Sequence, residues 1–182
     1  MADKKEKQCF VIAPIGEDNS DTRKRSNQIL KHIIEPVTLQ LGYTTTRADK
    51  LSKPGIITSQ IINHLLEDDL VIADLTEKNP NVFYELAIRH AIRKPVVQII
   101  FHTETLPFDI SASRTIKFDH KDLDSVAICK EELEKQIKAV EKDWEKEFIN
   151  MNKEIEYNQK EVEKLINSWR QNSNPDKKTK DK

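Results

Sequence analysis

An α/β fold, with a doubly wound, mostly parallel sheet carrying helices on both faces and a long C-terminal helical extension, is the architecture this sequence predicts. Three observations predict it. Short, nearly continuous apolar runs end at Pro, Gly or Asp, as strands buried on both faces do. Stretches of helical period lie between them. Beyond Pro107, a segment free of glycine and proline carries apolar residues at steps of three and four.

Gln8–Ala13 is the first strand, stopped by Pro14-Ile-Gly16. After a polar loop, Ile29, Leu30, Ile33, Ile34, Val37 and Leu41 mark one helix face, and Pro36 inside that pattern predicts a kink or a break. Gly42 ends the helix, and the threonine-rich Tyr43–Ala48 forms a second strand that stops near Asp49. Pro54-Gly55 marks a turn before a helix whose stripe is Ile57, Ile61, Ile62, Leu65 and Leu66. Leu70–Ala73 is a buried strand closed by Asp74. Asn79-Pro80 then reads as a cap followed by proline at the first helical position, and the helix it opens ends before Pro95. Pro95–Phe101 and Arg114–Phe118 complete the strands. Sheets of this kind bind ligands beyond the carboxyl ends of their strands, so the loops after Ala13, Ala48 and Ala73 are the places for a site.

The domain therefore spans residues 8–120. An amphipathic, coiled-coil-like extension follows over 121–172, heptad-like apart from a stutter at Val140-Trp144-Phe148, and either joins a second protomer or folds back near Asn150–Asn152. The last stretch, 173–182, has no apolar content and is expected to be disordered. A formal net charge of -1 gives no global field for nucleic acid or an anionic membrane, and no run of apolar residues is long enough to span a bilayer, so a cytoplasmic protein without direct nucleic-acid binding is expected. Cys9 and Cys129 are too few for a disulfide framework and read as packing residues. No histidine or cysteine spacing suggests a metal, there is no glycine-rich dinucleotide or P-loop motif, and no cofactor is expected.

The chemistry-bearing segment is Leu70–Ala87. It puts Asp74 at a strand mouth, Asn79 and Asn81 at a helix start, and Glu85 one turn beyond Asn81 on the same face. At about 100° per residue, Glu85 lies roughly 130° from the centre of the apolar face, so packing does not require it there. Structural alternatives exist for each: an exposed Glu85–Arg89 pair at i,i+4, a turn-capping Asp74, and Asn79 as a helix cap. Asn81 and Tyr84 stand near even between contact and surface. A second cluster, Ser20-Asp-Thr-Arg-Lys-Arg25, opens a helix at the same sheet edge, where Arg23 or Arg25 suits a phosphate. Gly16 lets backbone approach a ligand, and Asp49, at the mouth of the second strand, completes the candidate substrate-binding set.

The opening Cys-Phe-Val-Ile-Ala-Pro-Ile-Gly, the central Ala-Asp-Leu-Thr-Glu-Lys-Asn-Pro-Asn-Val-Phe-Tyr-Glu-Leu and the closing Arg-Lys-Pro-Val resemble the signature of nucleoside 2-deoxyribosyltransferase-like and TIR-like N-glycosidases over about residues 8–118. The resemblance implies a flavodoxin-like sheet and carries over to Glu85 the role of the carboxylate that attacks the anomeric carbon of a sugar. It gives Asp74 contact with the sugar hydroxyls or the departing base. A nucleotide or nucleoside substrate is implied, NAD among the candidates, with assembly of protomers through the tail. The chain departs from the family at Glu77 and Ala87, where glycine is common, and Glu77 adds negative charge beside the expected cleft. The competing reading is a non-catalytic nucleotide-sensing or interaction module that oligomerises through its helical tail.

Overall fold

The computed structural model describes residues 6–51, 56–110 and 113–172, and the expected turn at Pro54-Gly55 and the tail 173–182 lie outside them. Five strands, β1 (Lys7–Ile12), β2 (Tyr43–Arg47), β3 (Leu70–Asp74), β4 (Val96–Phe101) and β5 (Thr115–Phe118), form one sheet in the order β2-β1-β3-β4-β5, every neighbouring pair parallel. The strand order reverses between β1 and β3, which puts the crevice of a doubly wound sheet beyond the ends of these two strands.

The sheet is buried on both faces because its strands alternate between two cores. Cys9, Val11, Leu70, Ile72, Val97 and Ile99 pack on one side, and Phe10, Ile12, Val71, Ala73 and Ile100 on the other. The first face is covered by α1 (Asp21–Ile29), a π-helical turn (Leu30–Ile34), α2 (Glu35–Gln40) and the opening turns of α5 (Leu123–Asn172), through Cys129, Leu133 and Ile137. The second is covered by α3 (Ile57–Glu67) and α4 (Pro80–Ala91), through Leu65, Val82 and Leu86. Both cysteines are buried and unbridged.

The interruption expected at Pro36 takes the form of the π-turn. Proline has no N–H to return to the carbonyl of residue 32, so the chain widens just before it and Glu35 N–H bonds the Leu30 carbonyl five residues back. Pro36 then sits in the first turn of α2, where its missing donor is harmless. Gly42 follows the helix at φ +82, a left-handed conformation that ends it.

The chain divides into two compact units, Met1–Glu141 and Lys142–Lys182. The first turns of α5 thus belong to the α/β unit, and within the second the helix continues through Asn150–Asn152 without a turn. Among the described residues, no helix is long and apolar enough to cross a membrane.

Candidate active site

A cleft of about 370 Å³ opens at the carboxyl ends of β1 and β2. Its floor is Val11–Ala13, one wall is Ile57 and Ile61 of α3, and Ile15, Gly16, Ala48 and Asp49 come from the loops after β1 and β2. The opposite wall is the start of α4, with Asn79, Asn81, Val82 and Glu85. All three loops singled out by the sequence reach it, the third through Asn79, which precedes α4.

Asn79 caps α4, its side-chain oxygen accepting from Asn81 N–H at 2.9 Å, and Pro80 occupies the first helical position. This fixes the helix start and, one turn on, the direction of Glu85. Glu85 is half-buried, and the loss of hydration pushes its carboxyl up to about 7. The alternative pairing with Arg89 does not form. Arg89 is fully buried on the other side of the helix, where Nη1 donates to the Leu65 carbonyl at 2.7 Å, Nη2 to Asp68 O at 2.9 Å and Nε to Pro95 O at 3.2 Å.

Asp49 faces the same cleft in the opposite electrostatic state. Burial works against its charge, but hydrogen bonds from Arg47, together with the fields of Arg47, Arg23 and Lys50, hold it below the ordinary carboxylate range. Arg47 is fully buried and donates Nε to Asp49 Oδ1 at 2.6 Å, Nη2 to Oδ2 at 2.9 Å, Nη1 to Ser26 Oγ at 2.8 Å and Nη2 to Asn27 Oδ1 at 2.6 Å. Arg23 Nη1 reaches the same carboxylate at 2.8 Å while its Nη2 bonds the Gly16 carbonyl at 3.2 Å. Sequence reasoning missed Arg47. Its only signal was an arginine at the end of a strand, two residues before an aspartate.

Gly16 is required by geometry. Its φ is +66, and a Cβ there would stand 2.6 Å from Ser20 Oγ and 2.8 Å from Thr22 Cβ.

The other expected residues fall elsewhere. Asp74, expected to touch the sugar, is fully buried and absent from the cleft lining; its Oδ1 accepts from Thr76 N–H at 3.0 Å and from the Thr76 hydroxyl, the turn-capping alternative. Burial raises its carboxyl, against the Thr76 bonds and the Arg25 charge that lower it. Arg25 pairs with Glu77, which also accepts from Thr22 Oγ1 at 2.8 Å. Both line a different cleft, of about 440 Å³, with Asp21, Lys24, Gln28, His120 and Lys121. The charge of Glu77 is therefore neutralised and lies outside the cleft that holds Glu85. Glu77 itself has φ +65, a left-handed conformation that glycine adopts most readily, and its N–H is held by the Glu104 carboxylate at 3.0 Å. Tyr84 is 65% exposed and does not line the Glu85 cleft.

No family model matches the chain, and no curated protein matches it. Solved structures do. Among them are two 2-deoxyribosyltransferases and an N-glycosidase. The 2-deoxyribosyltransferase of Bacillus psychrosaccharolyticus shares 16% identity at a TM-score of 0.49, over 65% of this chain and 95% of its own. The 2-deoxyribosyltransferase of Leishmania mexicana shares 16% identity at 0.42, over 63% and 75%. The CMP N-glycosidase of Clostridium botulinum shares 16% at 0.42, over 63% and 93%.

Proposed function

We propose that this chain cleaves the N-glycosidic bond of a nucleoside-class substrate, releasing the base or passing the sugar to a second base, with Glu85 as the nucleophile. The observation that carries the reading is the isolated, half-buried carboxyl of Glu85 in a cleft at the sheet's carboxyl edge, opposite the ionised Asp49.

Two acids held in opposite states suit two roles. The sugar ring gains positive charge as the bond to the base stretches, and an ionised Glu85 oxygen beside the anomeric carbon stabilises that charge and then bonds to it. The electron pair of the broken bond leaves on the base nitrogen, which takes a proton from water. Attack on the anomeric carbon by water or by a ring nitrogen of a second base, either of which gives up a proton to solvent, frees the Glu85 carboxylate. Asp49, locked by Arg47 and Arg23, accepts hydrogen bonds from sugar hydroxyls without giving up its charge. Asn79 and Asn81 offer amide donors and acceptors at the other wall, and Ile57 and Ile61 an apolar surface for a base.

The cleft lining holds two carboxylates and no lysine or arginine. Arg23 is already committed to Asp49 and Gly16, and Arg25 lies at the other cleft. These features favour an uncharged nucleoside over NAD or another phosphorylated substrate. The tail is proposed to join copies of the chain.

The test is base release from deoxynucleosides, ribonucleosides and NAD by wild type and Glu85→Gln. Release of base from a nucleoside by wild type, falling by at least ~10³-fold in the variant, supports the proposal. A chain that binds nucleotides but consumes none of these substrates overturns it in favour of the sensing module, and a variant as active as wild type overturns the role of Glu85.

A further inference from the structure

The second unit, taken alone, presents a helix with an unpartnered apolar stripe. From Trp144 onward the stripe keeps a strict 4-3 step. Phe148, Ile155, Val162 and Trp169 occupy heptad position a, and Trp144, Met151, Asn158 and Leu165 occupy d. Apart from the half-buried Trp144, these side chains are exposed where a core would bury them, at 53% for Ile155 and Val162 and 68% for Leu165. A shallow concavity on this stripe is lined by Ile155, Asn158, Gln159 and Val162, with Glu163 at its rim. These four are the a, d, e and following a positions, the set that receives one d side chain of a facing helix.

We infer that residues 144–169 pair with the same segment of a second copy as a parallel, in-register, two-stranded coiled coil whose register is set by Asn158. The inference rests on the self-association proposed above and adds its orientation.

Charge placement decides the orientation. Position g holds Glu147, Glu154 and Glu161, whereas e holds Glu145, Asn152, Gln159 and Ile166, and the g partner of Glu145 in a parallel pair is the uncharged Val140; the lysines, at 142, 146, 153, 160 and 164, all fall on the outer b, c and f positions. An antiparallel pair centred on Asn158 would set Glu154 against Glu161 of the other copy, twice, with no lysine at any flanking position. A parallel pair instead sets Glu154 beside Gln159 and Glu147 beside Asn152, which can donate to them. Asn158 meets its own copy in that arrangement, so two amides satisfy each other in an otherwise apolar seam. Any slip would leave each against an apolar neighbour. β-Branched residues at the central a positions, Ile155 and Val162, with leucine at d favour two strands.

The test uses the full chain. Its mass by light scattering should be twice 21.2 kDa, and Val162→Asp/Leu165→Asp should halve it while the far-ultraviolet and melting signals of the α/β unit remain. Orientation is read from disulfides. Met151→Cys alone and Leu165→Cys alone should each form covalent dimers under mild oxidation, with wild type, whose cysteines are buried, as the control. Crosslinking only when the two variants are mixed would show an antiparallel pair and overturn the orientation while leaving self-association intact. A chain that stays monomeric throughout would overturn both, and a trimeric mass would overturn the strand number.

Discussion

Glu85 and Asp49 show how the same functional group acquires two characters within one cleft. Glu85 has lost hydration and has a raised carboxyl; Asp49 has two guanidinium groups and a lowered one. The sign of the linkage follows. Below the ordinary carboxyl value of 4.5 both folded and unfolded chains hold the Glu85 proton, so the group is neutral to stability. Between 4.5 and about 7 the unfolded chain ionises first, and above 7 the folded state carries the whole penalty. Glu85→Gln should therefore be more stable than wild type at pH 8, by about 1–2 kcal/mol after discounting for partial exposure, with the gap closing toward pH 4.5. Chemical denaturation at both pH values measures this. On the proposed reaction, in which only the ionised acid attacks, activity runs the other way: kcat/KM for base release should rise about tenfold per unit below pH 7 and level off above it. Arg47→Met should cost about 3–5 kcal/mol in denaturant titration, since it leaves Asp49 as a partly buried charge that has lost both hydrogen bonds from Arg47 and keeps that from Arg23.

At the scale of elements, the sequence was legible wherever local chemistry decides the outcome. Each strand of the sheet was visible, to within a residue or so at its ends, as an apolar or β-branched run with a stop, and α4 as a cap, a proline and a periodic face. The Pro36 interruption was visible too, but not its form, because a π-turn and a kink relieve the same missing donor. Arg47 and Asp74 were opaque for a different reason. Tyr-Thr-Thr-Thr-Arg carries no apolar signal that its arginine is buried. Whether Asp74 faces a ligand or its own loop depends on whether Thr76 turns back toward it. The α4 cap is the element whose loss should be felt in the cleft. Asn79→Ala should lower stability by about 1 kcal/mol in thermal melts and weaken base release, because the helix start that aims Glu85 frays.

For the whole molecule, the division into units at Glu141 and Lys142 falls at the stutter Val140-Trp144-Phe148, which in the sequence reads as a shift of heptad register within one helix and not as a boundary. What changes there is burial. Leu133 and Ile137 are fully buried in the α/β core, whereas Ile155 and Leu165 are exposed. Hydrogen exchange should follow the same line: amides of β1, β3 and β4 should exchange only by global opening, and those of 142–172 in a dilute sample of Val162→Asp/Leu165→Asp should exchange far sooner. The doubly wound sheet supplies the crevice, but the reaction is assigned from the groups that line it.

The most direct measurement is peptide mass mapping after incubation with nucleosides fluorinated at the sugar C2 atom, where fluorine slows release of a sugar–enzyme ester. The account predicts one added sugar mass, without base, on the peptide holding Glu85, and none on Glu85→Gln. Base release with the adduct on another residue, or with the variant still labelled, would contradict it.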